Sequence, residues 1–143
     1  LRRIRLEALR TDPDAFGSTL EREESRSHGD WVGWLSRCAT FVAEDEGGPV
    51  GLVGGMVDDE DSRRAVLISM WVAPARRGRG VGGQLVAAVV AWARDEGKRR
   101  VTLRVIDGNE AAIALYEKCG FSLTGERVRR DRDGATELVM MLS

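Results

Sequence analysis

Apolar residues along the chain follow two periods, and the changes between them mark out the elements. Leu1, Ile4 and the run Leu6 to Leu9 recur at helical spacing, and Thr11-Asp12-Pro13-Asp14 ends that helix. Phe16-Gly17-Ser18 leads into a charged run, Glu21 to Arg26, and Gly29 to Cys38 reads as a second short helix carrying Trp31 and Trp34. The period then shortens. Thr40 to Glu44 and Val50 to Val57 read as strands around Gly47-Gly48-Pro49, and Ser62 to Val72 follows a polar turn at Asp58 to Asp61, which gives an antiparallel meander. From Val81 onward Leu85, Val89 and Trp92 return to helical spacing until Gly97, and Arg100 to Ile106 is again a strand. Strand, helix, strand makes one right-handed βαβ unit. Ser122 to Arg130 and Glu137 to Leu142 bracket Asp131-Arg132-Asp133-Gly134, a hairpin turn, and the apolar run Leu138 to Leu142 reads as a central strand. No internal repeat interrupts this order.

Composition adds limits. With 143 residues, 43% of them hydrophobic, residues 1–143 are expected to form one domain around one core. A formal net charge of −1 gives no sign of a nucleic-acid partner, so the basic residues act locally. No apolar run approaches the roughly 18 residues of a membrane span and no secretory signal is seen, so the expected location is cytoplasmic, with no membrane partner. Cys38 and Cys119 are too few and too far apart for a disulfide framework or a metal site, and both read as core thiols.

Between the last strand of the meander and the long helix lies Ala73-Pro74-Ala75-Arg76-Arg77-Gly78-Arg79-Gly80-Val81-Gly82-Gly83. Glycines there leave the backbone unobstructed, so N–H groups at the helix start can point at phosphate oxygens, and Arg76, Arg77 and Arg79 add full charge. Three phosphate loops compete. A Walker-type loop needs Lys-Ser/Thr after its last glycine, whereas Gly83 is followed by Gln84-Leu85. The dinucleotide pattern GxGxxG is matched by Gly78, Gly80 and Gly83, with Asp107 at the end of the next strand, yet five residues with two arginines separate strand from glycine. The third pattern, R-x-x-G-x-G, is matched by Arg77, Gly80 and Gly82.

Here the chain resembles the GCN5-related N-acetyltransferase (GNAT) superfamily. A second segment, Asn109 to Phe121, is similar to that family's N-x-x-A-x-x-L-Y-x-x-x-G-F pattern through Asn109, Ala112, Leu115, Tyr116, Gly120 and Phe121. The resemblance implies an α/β (α+β) fold, the acyl-CoA N-acyltransferase fold. That fold is a mixed, mostly antiparallel sheet of six to seven strands with a central βαβ unit and helices on both faces. The strand a member normally carries before its first helix is missing from this sequence. The implied reaction is transfer of an acetyl group from acetyl-CoA to a primary amine of a small molecule or a protein N-terminus, with no metal. A homodimer is compatible with it, and a non-catalytic acyl-CoA-binding module is the alternative.

The resemblance also implies roles. The pyrophosphate would lie on Arg77, Gly78, Arg79, Gly80, Val81, Gly82, Gly83 and Gln84. The pantetheine arm would run as an extra strand beside Trp71, Val72 and Ala73 and pass Asn109, Ala112 and Tyr116. A backbone N–H near Trp71 or Val72 would stabilise the oxyanion. Tyr116, the sole tyrosine, matches the general acid that protonates the departing thiolate; proton transfer from a free tyrosine to a free thiol is uphill by roughly 2 kcal/mol. Asn109 could bond the arm or simply cap a helix after the Asp107-Gly108 turn. No base is legible, because Leu67-Ile68-Ser69-Met70-Trp71 carries no ionisable group where many members have a glutamate. Glu21, Glu23 and Glu24 read first as a solvated face, and His28 as a surface residue. Phe16, Trp31, Trp34 and the Arg127 to Asp133 hairpin would surround the acceptor.

Overall fold

The computed structural model describes residues 2–11 and 38–143. Among them the order is α1 (Arg2–Thr11), β1 (Ala39–Asp45), β2 (Gly48–Val57), β3 (Arg64–Val72), α2 (Val81–Asp95), β4 (Arg100–Ile106), α3 (Glu110–Lys118), β5 (Ser122–Arg129) and β6 (Thr136–Leu142). The strands form a six-stranded sheet in the order β1-β2-β3-β4-β6-β5. Only β3 and β4 run parallel, bracketing α2 as the expected βαβ unit. Leu138 to Leu142 does lie on an interior strand, between β4 and β5. β3 starts two residues later than the apolar pattern suggests. Asp61 accounts for this, since its carboxylate accepts the Arg63 N–H at 3.0 Å and its carbonyl accepts the Arg64 N–H at 3.0 Å, keeping Ser62 and Arg63 in the turn.

Each face of the sheet carries helix. Ile4 and Ala8 of α1 pack on Leu52 and Trp71, while Leu85, Val86, Val89, Val90 and Ala93 of α2 cover Val53, Ala65 and Leu67 on the opposite face. α3 extends this second layer through Tyr116, which joins Leu103, Val105 and Met140. Burying each such aliphatic side chain stabilises the fold by about 1.5–3 kcal/mol. Two strand glycines let α2 come close: a Cβ on Gly55 would sit 2.8 Å from the Trp92 ring, and one on Gly51 would meet Leu85 Cδ1 at 3.1 Å. Neither cysteine is fully buried and neither is in a disulfide; Cys119 packs against the core, as expected of a core thiol.

β3 is irregular where it matters. Leu52 pairs with Trp71 but Gly54 pairs with Ile68, so β3 carries one extra residue there, and Ser69 takes φ +61°, the one positive φ outside glycine among the described residues. This β-bulge inverts the alternation. Before it Ala65 and Leu67 face α2; after it Met70 and Val72 do, and Trp71 turns to α1. On the other edge, β3 and β4 pair only from Arg64/Arg100 to Val66/Thr102, and beyond that point they part.

Candidate active site

The parting strands leave a fork, and backbone alternation decides what faces it. The Ala73 N–H donates to the Val50 carbonyl at 2.7 Å, and Gly51 opposes Val72. Peptide groups alternate direction along a strand, so those of Trp71 and Ala73 are spent on β2 and those of Val72 point into the fork. Val72 is thus the donor candidate of the two considered. Its carbonyl accepts from Arg77 Nε at 2.9 Å, which ties the loop to the fork.

The loop begins with a short 3₁₀ turn, Pro74–Arg76, and ends at Gly80, the N-cap of α2, with φ +86°. No side chain caps this helix and its first turn holds no acid. The Gln84 N–H closes the first turn onto the Gly80 carbonyl at 3.1 Å, so the N–H groups of Val81, Gly82 and Gly83 have no intrahelical acceptor. A Cβ on Gly78, Gly80 or Gly83 would meet nothing within 4 Å, and Arg77, Arg79 and Gln84 are exposed. Open glycines, helix-start N–H donors and the exposed guanidinium groups of Arg77 and Arg79 fit a pyrophosphate. Two loop residues differ from the sequence-based picture. Arg76 is bound to Asp45 at the end of β1, and this guanidinium is the main cause of a lowered Asp45 pKa. Gly82 faces inward, where a Cβ would lie 2.9 Å from Leu115 Cδ2, so it serves the approach of α2 to α3.

A cleft of about 720 Å³ continues from the fork, and Ser69, Met70, Ile106, Asn109, Ala112 and Tyr116 line it. The residues Trp71 to Gln84 are not part of that lining. Tyr116 is 6% exposed, with its ring edge-on to Phe121 at 6.1 Å, and its hydroxyl makes no hydrogen bond among the described residues. Burial, with a smaller contribution from Cys119, drives its pKa far above the ordinary tyrosine value, so the group is a neutral hydrogen-bond donor at any ordinary pH. Asn109 caps α3: its Oδ1 accepts the Ala112 N–H at 3.3 Å, which leaves its amide NH₂ for a ligand.

Acidic groups sit elsewhere than expected. Glu126 of β5 and Glu137 of β6 line the cleft, and no signal in the sequence marked them, because their position depends on how β6 inserts between β4 and β5. The hairpin between them does not reach the cleft. Arg130, 7% exposed, grips Asp133 through two hydrogen bonds of 3.1 and 2.7 Å and folds the tip on itself. Asp107, the acid a dinucleotide reading would place on ribose, is paired with Arg127 at 3.0 Å. Phe16, Glu21, Glu23, Glu24, His28, Trp31 and Trp34 lie outside the described residues. Among the described residues no group of three or more His, Cys, Asp or Glu is placed to hold a metal, and no helix is long and apolar enough to cross a membrane.

Residues 5–121 match the model of the acetyltransferase (GNAT) family. The chain belongs to that family. It is 38% identical over 98 residues to human N-acetyltransferase 8B, covering 65% of this chain and 43% of that protein. It therefore spans less than half the length of this relative. Solved structures agree on the fold: a ribosomal-protein-alanine N-acetyltransferase from Brucella melitensis superposes with TM-score 0.78 at 24% identity, over 98% of this chain and 92% of that one. A protein assigned as a streptothricin acetyltransferase from Bacillus anthracis, solved with acetyl coenzyme A, gives TM-score 0.65 at 22% identity, over 74% of this chain and 62% of that one. The acetyltransferase fold expected from the sequence is the one observed.

Proposed function

We propose that this acetyltransferase moves an acetyl group from acetyl-CoA to a primary amine of a small molecule or a protein N-terminus. The fork carries this reading, because it alone provides an extended edge, beside an uncapped helix start, that leads to a buried tyrosine. The acetyl-CoA complex of a similar fold supports the donor. Arg77, Arg79 and the free N–H groups of Val81 to Gly83 hold the pyrophosphate, and the pantetheine arm runs along Val72 with Asn109 and Ala112 on its other side.

The amine nitrogen attacks the thioester carbonyl, forming a C–N bond while the carbonyl electrons move onto oxygen. The Val72 N–H meets that oxyanion; one such donor is typically worth about 2.7–4 kcal/mol. As the oxyanion collapses the C–S bond breaks, and the thiolate is met by the Tyr116 hydroxyl. Burial that raises the tyrosine pKa raises the basicity of a thiolate in the same cleft too, so the ordinary order is preserved and Tyr116 acts first by hydrogen bonding. The ammonium proton of the acceptor leaves to a cleft carboxylate. Glu126 and Glu137 supply one, which weakens the case for a non-catalytic module.

Thiol release from acetyl-CoA across an amine library, with calorimetric titration of acetyl-CoA alongside, tests this. Turnover with any amine is the expected outcome, and failure of acetyl-CoA to bind would remove the reading.

A further inference from the structure

The cleft carries a pair of opposite charges, the solvent-exposed Arg104 and the half-buried Glu137, that make no ion pair within the described residues. Arg104 of β4 and Glu137 of β6 both line it. Arg104 is directly opposite Val139 and Ile106 is opposite Glu137, so Arg104 and Glu137 are diagonal neighbours on one face of adjacent strands. Such neighbours stand about 7–8 Å apart along the backbone, within reach of long side chains. Even so they form no ion pair with each other, and neither pairs with another described residue. The contrast within the same cleft is Arg64, which Asp58 holds at 2.8 Å.

Their height along the fork is informative. Continuing the Val66/Thr102 register brings Ile106, and Glu137 beside it, level with Met70 and Trp71, next to the Val72 peptide where the thioester would lie. Arg104 is one step nearer the closed end. Arg5 of α1, 3% exposed, adds a second guanidinium to the lining. A cation and an anion held apart, with the anion at the reacting level, match a ligand that is itself a zwitterion with its charges two bonds apart.

Resting on the acetyl-transfer reading above, we infer that the acceptor is a free α-amino acid, with its carboxylate on Arg104 and its ammonium on Glu137. Glu137 then takes the ammonium proton, the freed amine adds to the thioester carbonyl to form the C–N bond, and as the oxyanion collapses the C–S bond breaks and the second nitrogen proton passes to the departing thiolate. Arg104 touches no reacting atom and sets specificity.

Binding rather than turnover tests this, so that its failure is separate from failure of the transfer reading. The protein, loaded with coenzyme A and also without it, is titrated calorimetrically with the proteinogenic L-amino acids. Each one that binds is then compared with its carboxamide, its decarboxylated amine and a peptide carrying it at the N-terminus. The free acid should bind about ten- to a hundredfold tighter than the other three, the range of one charged hydrogen-bond pair. In Arg104→Gln that preference should fall to near one, with Arg104→Lys keeping part of it and thermal melting confirming that both variants fold. Binding of no amino acid, equal binding of acid and amide, preference for the peptide, or an undiminished preference in Arg104→Gln would each overturn the assignment.

Discussion

Replacing Gly82 by alanine separates the two duties that glycines perform in this loop. In a helix the exchange ordinarily stabilises by about 0.8–1 kcal/mol. At Gly82, however, the new Cβ lands 2.9 Å from Leu115 Cδ2, closer than carbon atoms tolerate, while Leu115 Cδ1 at 3.7 Å and Val72 Cγ2 at 3.8 Å limit where it can go. Such overpacking costs about 1–3 kcal/mol. The net expectation is a loss of about 0–2 kcal/mol, which at roughly 2–4 °C per kcal/mol lowers the melting midpoint by up to about 8 °C. Gly83 is the control, because a Cβ there meets nothing within 4 Å and Gly83→Ala should raise the midpoint. Leu115 also lines the cleft, so Gly82→Ala should weaken acetyl-CoA binding along with stability. Thermal melts of the two single variants, and of Gly82→Ala in a Leu115→Ala background, decide the matter. With the leucine methyls gone the clash disappears, and Gly82→Ala should then stabilise by about 0.8–1 kcal/mol. Equal stabilisation at positions 82 and 83 in the wild-type background would refute the packing of α2 against α3 described above.

Arg77→Ala should weaken acetyl-CoA about ten- to a hundredfold by removing a charge-assisted phosphate contact, while Arg76→Ala, already committed to Asp45, should change it less than about threefold; titration calorimetry compares them. Tyr116→Phe should lower kcat at least about tenfold with little effect on acetyl-CoA affinity, and the wild-type pH profile should show no loss of rate up to pH about 10 from ionisation of this hydroxyl. Acid should undo the hairpin lock. Arg130 holds the Asp133 pKa well below its usual 3.8, so this pair contributes stability that is complete above the unfolded value and is lost as pH falls through the folded one. The midpoint advantage of wild type over Asp133→Asn should accordingly be constant above about pH 5 and shrink steadily below it; an advantage that grows on acidification would show the sign to be wrong.

Much of the fold was legible because its elements announce themselves locally. The first meander turn, at Glu46-Gly47 with Gly48 and Pro49 already in β2, the second at Asp58 to Asp61, the glycine-rich entry to α2 and the Asp107-Gly108-Asn109 cap each combine a change of period with residues that tolerate the required backbone. Loop and helix starts were readable for the same reason, since Arg77, Gly80 and Asn109 are close in sequence to what they organise. The carboxylates were not. Glu126 and Glu137 sit on strands whose patterning is unremarkable, and only the insertion of β6 between β4 and β5 turns them toward the cleft. Gly82 was singled out for its backbone, and the packing of its Cα face against Leu115, 33 positions away, could not be read from the motif.

The absence of an acidic residue on β3 goes with the bulge at Ser69. The extra residue lets Trp71 seat against Ile4 and Ala8 of α1 while Met70 and Val72 turn to the α2 layer, so both sides of the strand beyond the bulge are committed to packing. A carboxylate at position 71 would have to be buried among apolar groups, at a cost of several kcal/mol unless paired. Ile68, just before the bulge, instead lines the cleft and presses on Gly54, where a Cβ would stand 3.0 Å from Ile68 Cγ1. On the far side of the fork, across β4, β6 presents Glu137 to the cleft at the level of the Val72 peptide. Placing glutamate at Ile68 tests that division of labour. Ile68→Glu should supply a second base on the fork's near side and restore at least part of the acetyl transfer lost in Glu137→Gln. If Glu137→Gln itself transfers acetyl groups at the wild-type rate, the far side is not the route by which the proton leaves.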